Sequence, residues 1–125
     1  MPYDGATAAS YANNRAAARS RGRCAEYVRH AIEHGGQPIA PTPSAKDMGT
    51  ALRHAGFSGT AQPPEPGDVV VIQPAPGHPH GHAAIYDGSR WISDFVQQHG
   101  LYPGPAYRQA RPPYRIYRHQ GEGTP

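Results

Sequence analysis

The sequence predicts an α+β fold in which N-terminal helices pack on a small antiparallel sheet. In the first half of the chain, apolar residues recur at the three- and four-residue spacing of helices. In the second half, short apolar runs are separated by turn residues, and consecutive strands of this kind pair antiparallel. We expect a single domain over residues 1–125, with a core from about residue 20 to residue 118, because 125 residues can bury one modest core.

Three helices are predicted before the strands begin. Residues 6–20 are rich in Ala and Arg, which are good helix formers. Residues 23–34 carry apolar side chains at helical spacing, and a pair of glycines ends this second helix. Ser44 resembles an N-cap three residues before Asp47, so a third helix is expected to begin there and to end at Gly56.

Four strands are predicted in the second half of the chain. The expected strands are residues 68–73, 82–86, 90–95 and 114–118. The first of them is a β-branched apolar run, which indicates a strand buried on both faces. Residues 87–89 are typical of a hairpin turn, residues 96–113 are expected to be irregular, and the polar tail from His119 is expected to fray.

Composition excludes several classes of protein. The formal net charge is only +3, and no basic run with interleaved aromatic residues is present, so we expect no nucleic-acid binding. No segment approaches the roughly 20 apolar residues of a membrane helix, so we expect no membrane insertion. The N-terminus lacks the pattern of a signal peptide, which favours synthesis in the cytoplasm without a cleaved signal.

Cys24 is the single cysteine and is predicted to lie at the start of the second helix. A thiolate is a nucleophile, and a helix N-terminus stabilises its negative charge. We therefore expect a lowered pKa for Cys24, with positive charge from Arg21 and Arg23 nearby. The backbone N–H groups of the first turn can also stabilise an oxyanion. The alternative for a lone cysteine is a buried, inert thiol.

A cysteine nucleophile needs a base, and His82 is the candidate at the start of the second strand. If the turn is the three-residue loop 87–89, His82 faces Asp94 across the strand pair. Asp94 would then accept a hydrogen bond from the imidazole and stabilise its cation. A two-residue turn would place Ser93 there instead, and Gln97 is a weaker candidate for the same role. The alternatives are a surface histidine and a solvated carboxylate.

A rival hypothesis uses the alternating histidines His78, His80 and His82, which together could bind zinc or nickel. The chain would then be a metallohydrolase or a non-catalytic metal-binding or interaction module. Against this hypothesis, Pro79 and Gly81 indicate a flexible loop, and the sequence holds no HExxH motif.

Three segments, in this order, resemble the NlpC/P60 and CHAP peptidoglycan amidases. Residues 23–29 (Arg-Cys-Ala-Glu-Tyr-Val-Arg) look like their nucleophile helix. Residues 66–71 (Pro-Gly-Asp-Val-Val-Val) are similar to the strand entry before their histidine, and residues 81–88 (Gly-His-Ala-Ala-Ile-Tyr-Asp-Gly) to their histidine strand. The motifs cover about residues 20–96, whereas residues 97–113 match no motif of the family.

The resemblance implies a papain-like α+β core with Cys24 as nucleophile and His82 as base. It also implies a polar orienting residue on the following strand, a position that Asp94 matches. The implied reaction is hydrolysis of an amide in the peptide stem or cross-link of bacterial peptidoglycan, and no cofactor is expected.

The small size and the missing wall-binding module look most like the amidase effectors of type VI secretion systems. This resemblance implies export by such a system, action in the periplasm of a target cell and an immunity protein that blocks the active site. A cysteine acyltransferase or a protease with another substrate remains an alternative, because specificity depends on loops and groove shape.

Overall fold

Helices dominate the first half of the chain and antiparallel strands the second, which confirms the α+β fold. A computed structural model describes residues 3–17 and 22–120. Its elements are α1 (Gly5–Arg15), α2 (Cys24–His34), a 3-10 turn (Ala45–Asp47), α3 (Met48–His54), β1 (Phe57–Thr60), β2 (Val69–Ile72), β3 (His82–Tyr86), β4 (Trp91–Ile92), α4 (Pro105–Ala110) and β5 (Tyr114–His119).

The five strands form one sheet in the order β1-β5-β2-β3-β4, with each neighbouring pair antiparallel. Every residue of the central strand β2 is buried, as its β-branched sequence predicts. β5 lies between β1 and β2, so the last strand along the chain occupies an interior position. His82 pairs with Ile72 and is the first residue of β3, so it lies where the strands meet the loops and where side chains from those loops can reach it.

Two hydrophobic clusters cover the sheet. The larger cluster joins residues of α1, α2 and α3 to alternate residues of β2 and β3, such as Val71 and Ala83. The smaller cluster joins the other alternate residues, such as Val70 and Ala84, to Trp91 and Tyr107. α1 contributes Ala8 and Ala12 to the larger cluster, so the packed core includes a helix that precedes the expected core boundary near residue 20.

The third helix departs from the prediction at its start. It begins as a 3-10 turn, and the Ser44 side chain makes no cap hydrogen bond, so the expected capping box is wrong. The Ser44 hydroxyl is instead 2.7 Å from Nδ1 of His80, because the loop carrying His80 packs against this turn. This contact joins the loop that carries His80 to the segment before α3.

The remaining differences lie in short elements. The first helix ends at Arg15, and the predicted residues 18–20 lie outside the described residues. β1 and α4 were not predicted, since each is short and only one of its residues is buried. His119 pairs with Phe57 instead of fraying, whereas the tail residues 121–125 lie outside the described residues. In residues 3–17 and 22–120, no helix combines the length and apolar character needed to cross a membrane.

Candidate active site

A cleft of about 810 Å³ lies where the start of α2 meets the start of β3. Cys24, His82 and Tyr107 all line this cleft. Loops rich in proline and glycine form much of its wall, among them residues 41–43, 77–81 and 103–104. The structure therefore brings the predicted nucleophile and base into one cavity that is open to a substrate.

Cys24 is the first residue of α2, as the sequence predicts, and its side chain is partly buried. Burial raises the pKa of the Cys24 thiol, while the backbone N–H groups of Ala83, Ala25 and Cys24 itself act in the opposite direction. The predicted lowering of this pKa is therefore wrong, because desolvation outweighs the helix terminus. The guanidinium of Arg23 is paired with Glu26 at 2.6 Å, and Arg21 lies outside the described residues.

His82 is only 7% exposed, and its Nε2 lies 2.7 Å from Oε1 of Gln97. The amide orientation of Gln97 is fixed, because its Nε2 donates to the carbonyl oxygens of Gly100 and Leu101, both at 2.9 Å. An amide oxygen only accepts, so Nε2 of His82 must be the protonated nitrogen. In the neutral ring this leaves Nδ1 unprotonated and able to take a proton.

The electrostatics of His82 favour a neutral imidazole. Burial lowers the pKa of His82, while its hydrogen bond to Gln97 and the charge of Asp94 raise it by less. The pKa of the thiol is thus raised and the pKa of the imidazole lowered. Both shifts disfavour a resting pair of thiolate and imidazolium. A neutral histidine with an open Nδ1 is suited to general-base chemistry.

The predicted three-residue turn is wrong by one residue. Tyr86 pairs with Trp91, so residues 87–90 form the turn. The Asp87 carboxylate fixes this length, because its Oδ1 accepts hydrogen bonds from the backbone N–H groups of Ser89 and Arg90, at 2.8 and 2.6 Å. The strand also ends at Ile92, well short of Phe95. The predicted cross-strand pairing of His82 with Asp94 does not form.

Asp94 occupies a different place from the one predicted. It is fully buried, and its Oδ2 accepts a hydrogen bond of 2.9 Å from the backbone N–H of Arg23, the residue before α2. The Ser93 hydroxyl donates to Oδ1 of the same carboxylate at 3.4 Å. A carboxylate at this position complements the positive end of the helix dipole. Asp94 therefore stabilises the start of α2, the helix that carries Cys24.

The three alternating histidines point to different partners. His80 contacts Ser44, the ring of His78 packs against Tyr107 with centroids 5.0 Å apart, and His82 bonds to Gln97. In the part of the chain that the structure describes, no group of three His, Cys, Asp or Glu side chains could hold a metal ion. Among the described residues the three histidines therefore do not converge on a common point, as the rival hypothesis of a metal site would require.

Comparison with known proteins agrees with this geometry. The model of the CHAP domain family matches residues 10–95. A chain in the crystal structure of the type VI native effector-immunity complex Tae3-Tai3 from Ralstonia pickettii is 61% identical, with a TM-score of 0.93, over 94% of this chain and 100% of that chain. In the SeMet form of that complex the values are 62% identity and a TM-score of 0.88, over 90% and 99% of the two chains. No curated protein matches.

The family match spans more than half of the chain and includes both Cys24 and His82. The match ends at Phe95. Beyond it, Gln97 is hydrogen-bonded to His82 and Tyr107 lines the cleft. From the sequence alone, Gln97 ranked below Asp94 and Tyr107 was not among the catalytic candidates, because neither lies in a recognised motif. The chain belongs to the CHAP domain family and has its papain-like α+β fold.

Proposed function

We propose that this chain hydrolyses an amide bond in the peptide part of peptidoglycan, with Cys24 as nucleophile, His82 as base and Gln97 as the residue that orients the base. The observation that carries this proposal is the cleft that joins Cys24, at the start of α2, to a buried histidine held by an amide. The chain is a cell-wall hydrolase of the type VI effector class, by its family and its 61% identity to the Ralstonia chain.

The reaction follows from the tautomer of His82. As Sγ of Cys24 attacks the amide carbonyl, Nδ1 of His82 takes the thiol proton, and the tetrahedral intermediate carries its negative charge on oxygen. Backbone N–H groups in the first turn of α2 stabilise that oxygen. His82 then gives the proton to the leaving amine, which breaks the C–N bond and leaves a thioester. Water, deprotonated by His82, hydrolyses the thioester and frees Cys24.

Gln97 orients the base in this scheme, and Asp94 positions the nucleophile. The amide oxygen of Gln97 holds Nε2–H of His82, which keeps the unprotonated Nδ1 available for the thiol. Asp94 binds the backbone N–H that precedes Cys24 and adds a negative charge that favours protonated His82. Gln97 thus accepts the hydrogen bond from the imidazole and Asp94 stabilises its cation, two roles that the sequence assigned to Asp94 alone.

Delivery and protection follow from the effector class. The related Ralstonia chain was crystallised in an effector-immunity complex, and an immunity protein is likewise the partner of this chain. Secretion by a type VI system carries such effectors into target cells. We propose that this chain then acts in the periplasm, because peptidoglycan is exposed there, and that its immunity protein covers the cleft around Cys24.

The function is tested by incubating the purified protein with peptidoglycan and identifying the released fragments by mass spectrometry. We expect peptides that differ from the intact stem or cross-link by the water added at one amide bond. Iodoacetamide supplies a matched control, because it reacts preferentially with thiols and Cys24 is the one cysteine of the chain. Release of the same fragments by the alkylated protein would contradict the proposal, as would no release by the untreated protein.

Substitution of Gln97 by alanine is expected to lower kcat by roughly 10- to 100-fold, since the imidazole loses the acceptor that fixes its tautomer. Steady-state hydrolysis of a soluble peptidoglycan fragment measures this effect. Gln98→Ala is the matched control, because Gln98 is the exposed neighbour and is expected to leave kcat unchanged. Equal kcat values for the two variants would remove Gln97 from the mechanism.

A further inference from the structure

Two residues of α4, Pro105 and Tyr107, line the active-site cleft, and Tyr107 is the one with a polar group. α4 begins with Pro105, and Tyr107 is its single buried residue, with only 2% of its surface exposed. The ring packs between two histidines, with its centroid 5.0 Å from that of His78 and 6.0 Å from that of His82. These contacts fix the ring beside the proposed base.

The segment that carries α4 is anchored to the same side chain that holds the base. The amide nitrogen of Gln97 donates to the carbonyl oxygens of Gly100 and Leu101, and its amide oxygen accepts from His82. At the other end, the backbone N–H of Arg111, in the left-handed conformation with φ of 51°, donates to the carbonyl oxygen of Tyr107 at 2.8 Å. Tyr107 is therefore held in place from both sides.

The hydroxyl of Tyr107 differs from those of other well-packed tyrosines. The hydroxyls of Tyr3, Tyr102 and Tyr117 are hydrogen-bonded to Gly67, Pro112 and Arg53. Within residues 3–17 and 22–120, the hydroxyl of Tyr107 has no such partner, although a buried tyrosine usually has one. Every fully sealed polar side-chain atom among these residues is hydrogen-bonded, so this hydroxyl keeps some exposed surface, and Tyr107 is one of the residues that line the cleft.

The surroundings keep this hydroxyl protonated. Burial raises the pKa of Tyr107 to about 12, and the charge of Cys24 adds to the shift. The hydroxyl is therefore a hydrogen-bond donor at any pH at which the enzyme would work, and Tyr107 lines the same cleft as Cys24. A fixed donor without a partner, in the cleft that also holds the nucleophile and next to its base, has the properties of an oxyanion-hole group.

We propose that the Tyr107 hydroxyl is a second oxyanion donor. It would donate a hydrogen bond to the oxygen of the scissile carbonyl as Cys24 attacks, and it would act together with the backbone N–H groups at the start of α2. This inference rests on the proposed amidase function. It assigns a catalytic residue to the segment 97–113, which lies beyond the family match.

The test is Tyr107→Phe, which removes the oxygen and keeps the ring against His78 and His82. We expect kcat for a soluble peptidoglycan fragment to fall about 100-fold with little change in KM, because the donor binds the transition state and not the substrate. Tyr114→Phe is the matched control, since Tyr114 is 50% exposed and lies outside the cleft.

Two further readouts separate an oxyanion donor from a packing role. The acid limb of the pH profile and the rate of Cys24 alkylation by iodoacetamide are both expected to match the wild type in Tyr107→Phe. Wild-type kcat in this variant would overturn the inference, and so would a shifted acid limb, which would mean that Tyr107 acts through His82. No hydrolysis by the wild type would instead overturn the proposed function, and the inference with it.

Discussion

Replacing Cys24 with alanine is expected to abolish the release of peptides from peptidoglycan. Removal of a nucleophile from a catalytic unit of this kind typically lowers kcat by about 10⁶-fold, which is below detection in an endpoint digest. Mass spectrometry of the digest measures the loss. The fold should survive, because Cys24 is only partly buried and alanine is favoured in a helix.

The control for Cys24→Ala is its thermal unfolding midpoint, which should stay close to that of the wild type. Binding of peptidoglycan fragments should also persist, because the other walls of the cleft are unchanged. A folded Cys24→Ala variant that still released peptides would eliminate nucleophilic catalysis by this residue. Hydrolysis would then require a different attacking group.

Substitution of His82 by glutamine is expected to lower kcat by about 10³- to 10⁴-fold. The thiol is kept neutral by burial, so without an imidazole no group is placed to take its proton during attack. Glutamine preserves much of the buried volume and can still bond to Gln97. The effect is therefore expected in kcat, measured with a soluble fragment, more than in stability.

A second histidine supplies the control for His82→Gln. His54 is exposed at the C-terminal end of α3 and does not line the cleft, so His54→Gln should keep wild-type kcat. At raised pH the His82→Gln variant should recover part of its rate, because hydroxide then deprotonates the thiol without a base. A rate for His82→Gln equal to that of His54→Gln would contradict the role of His82 as base.

The parts of the fold that the sequence predicted are those with a strong local pattern. α2 has helical spacing and a glycine stop, and β2 is β-branched at every position, so both were found nearly to the residue. Cys24 begins α2 and His82 begins β3, and each lies in a motif that resembles a known family. Their meeting in one cleft follows once the helix packs on the sheet.

The parts that were missed depend on contacts that no local pattern shows. The turn 87–90 has its length because the Asp87 side chain binds two backbone N–H groups, and one residue of slip changes the partner of His82. Gln97 reaches His82 from beyond the end of β4. The direction of the Cys24 pKa shift was wrong, since burial of the thiol depends on neighbours in the folded chain.

The interior position of β5 bears on when this enzyme becomes active during its own synthesis. β1 has only β5 as a neighbour, and β2 needs β5 on one side, so the sheet stays incomplete until residues 114–119 leave the ribosome. Pairing over such long sequence separations is slow compared with helix formation. A nascent chain that already displays Cys24 and His82 therefore lacks the complete sheet behind them until β5 has been made.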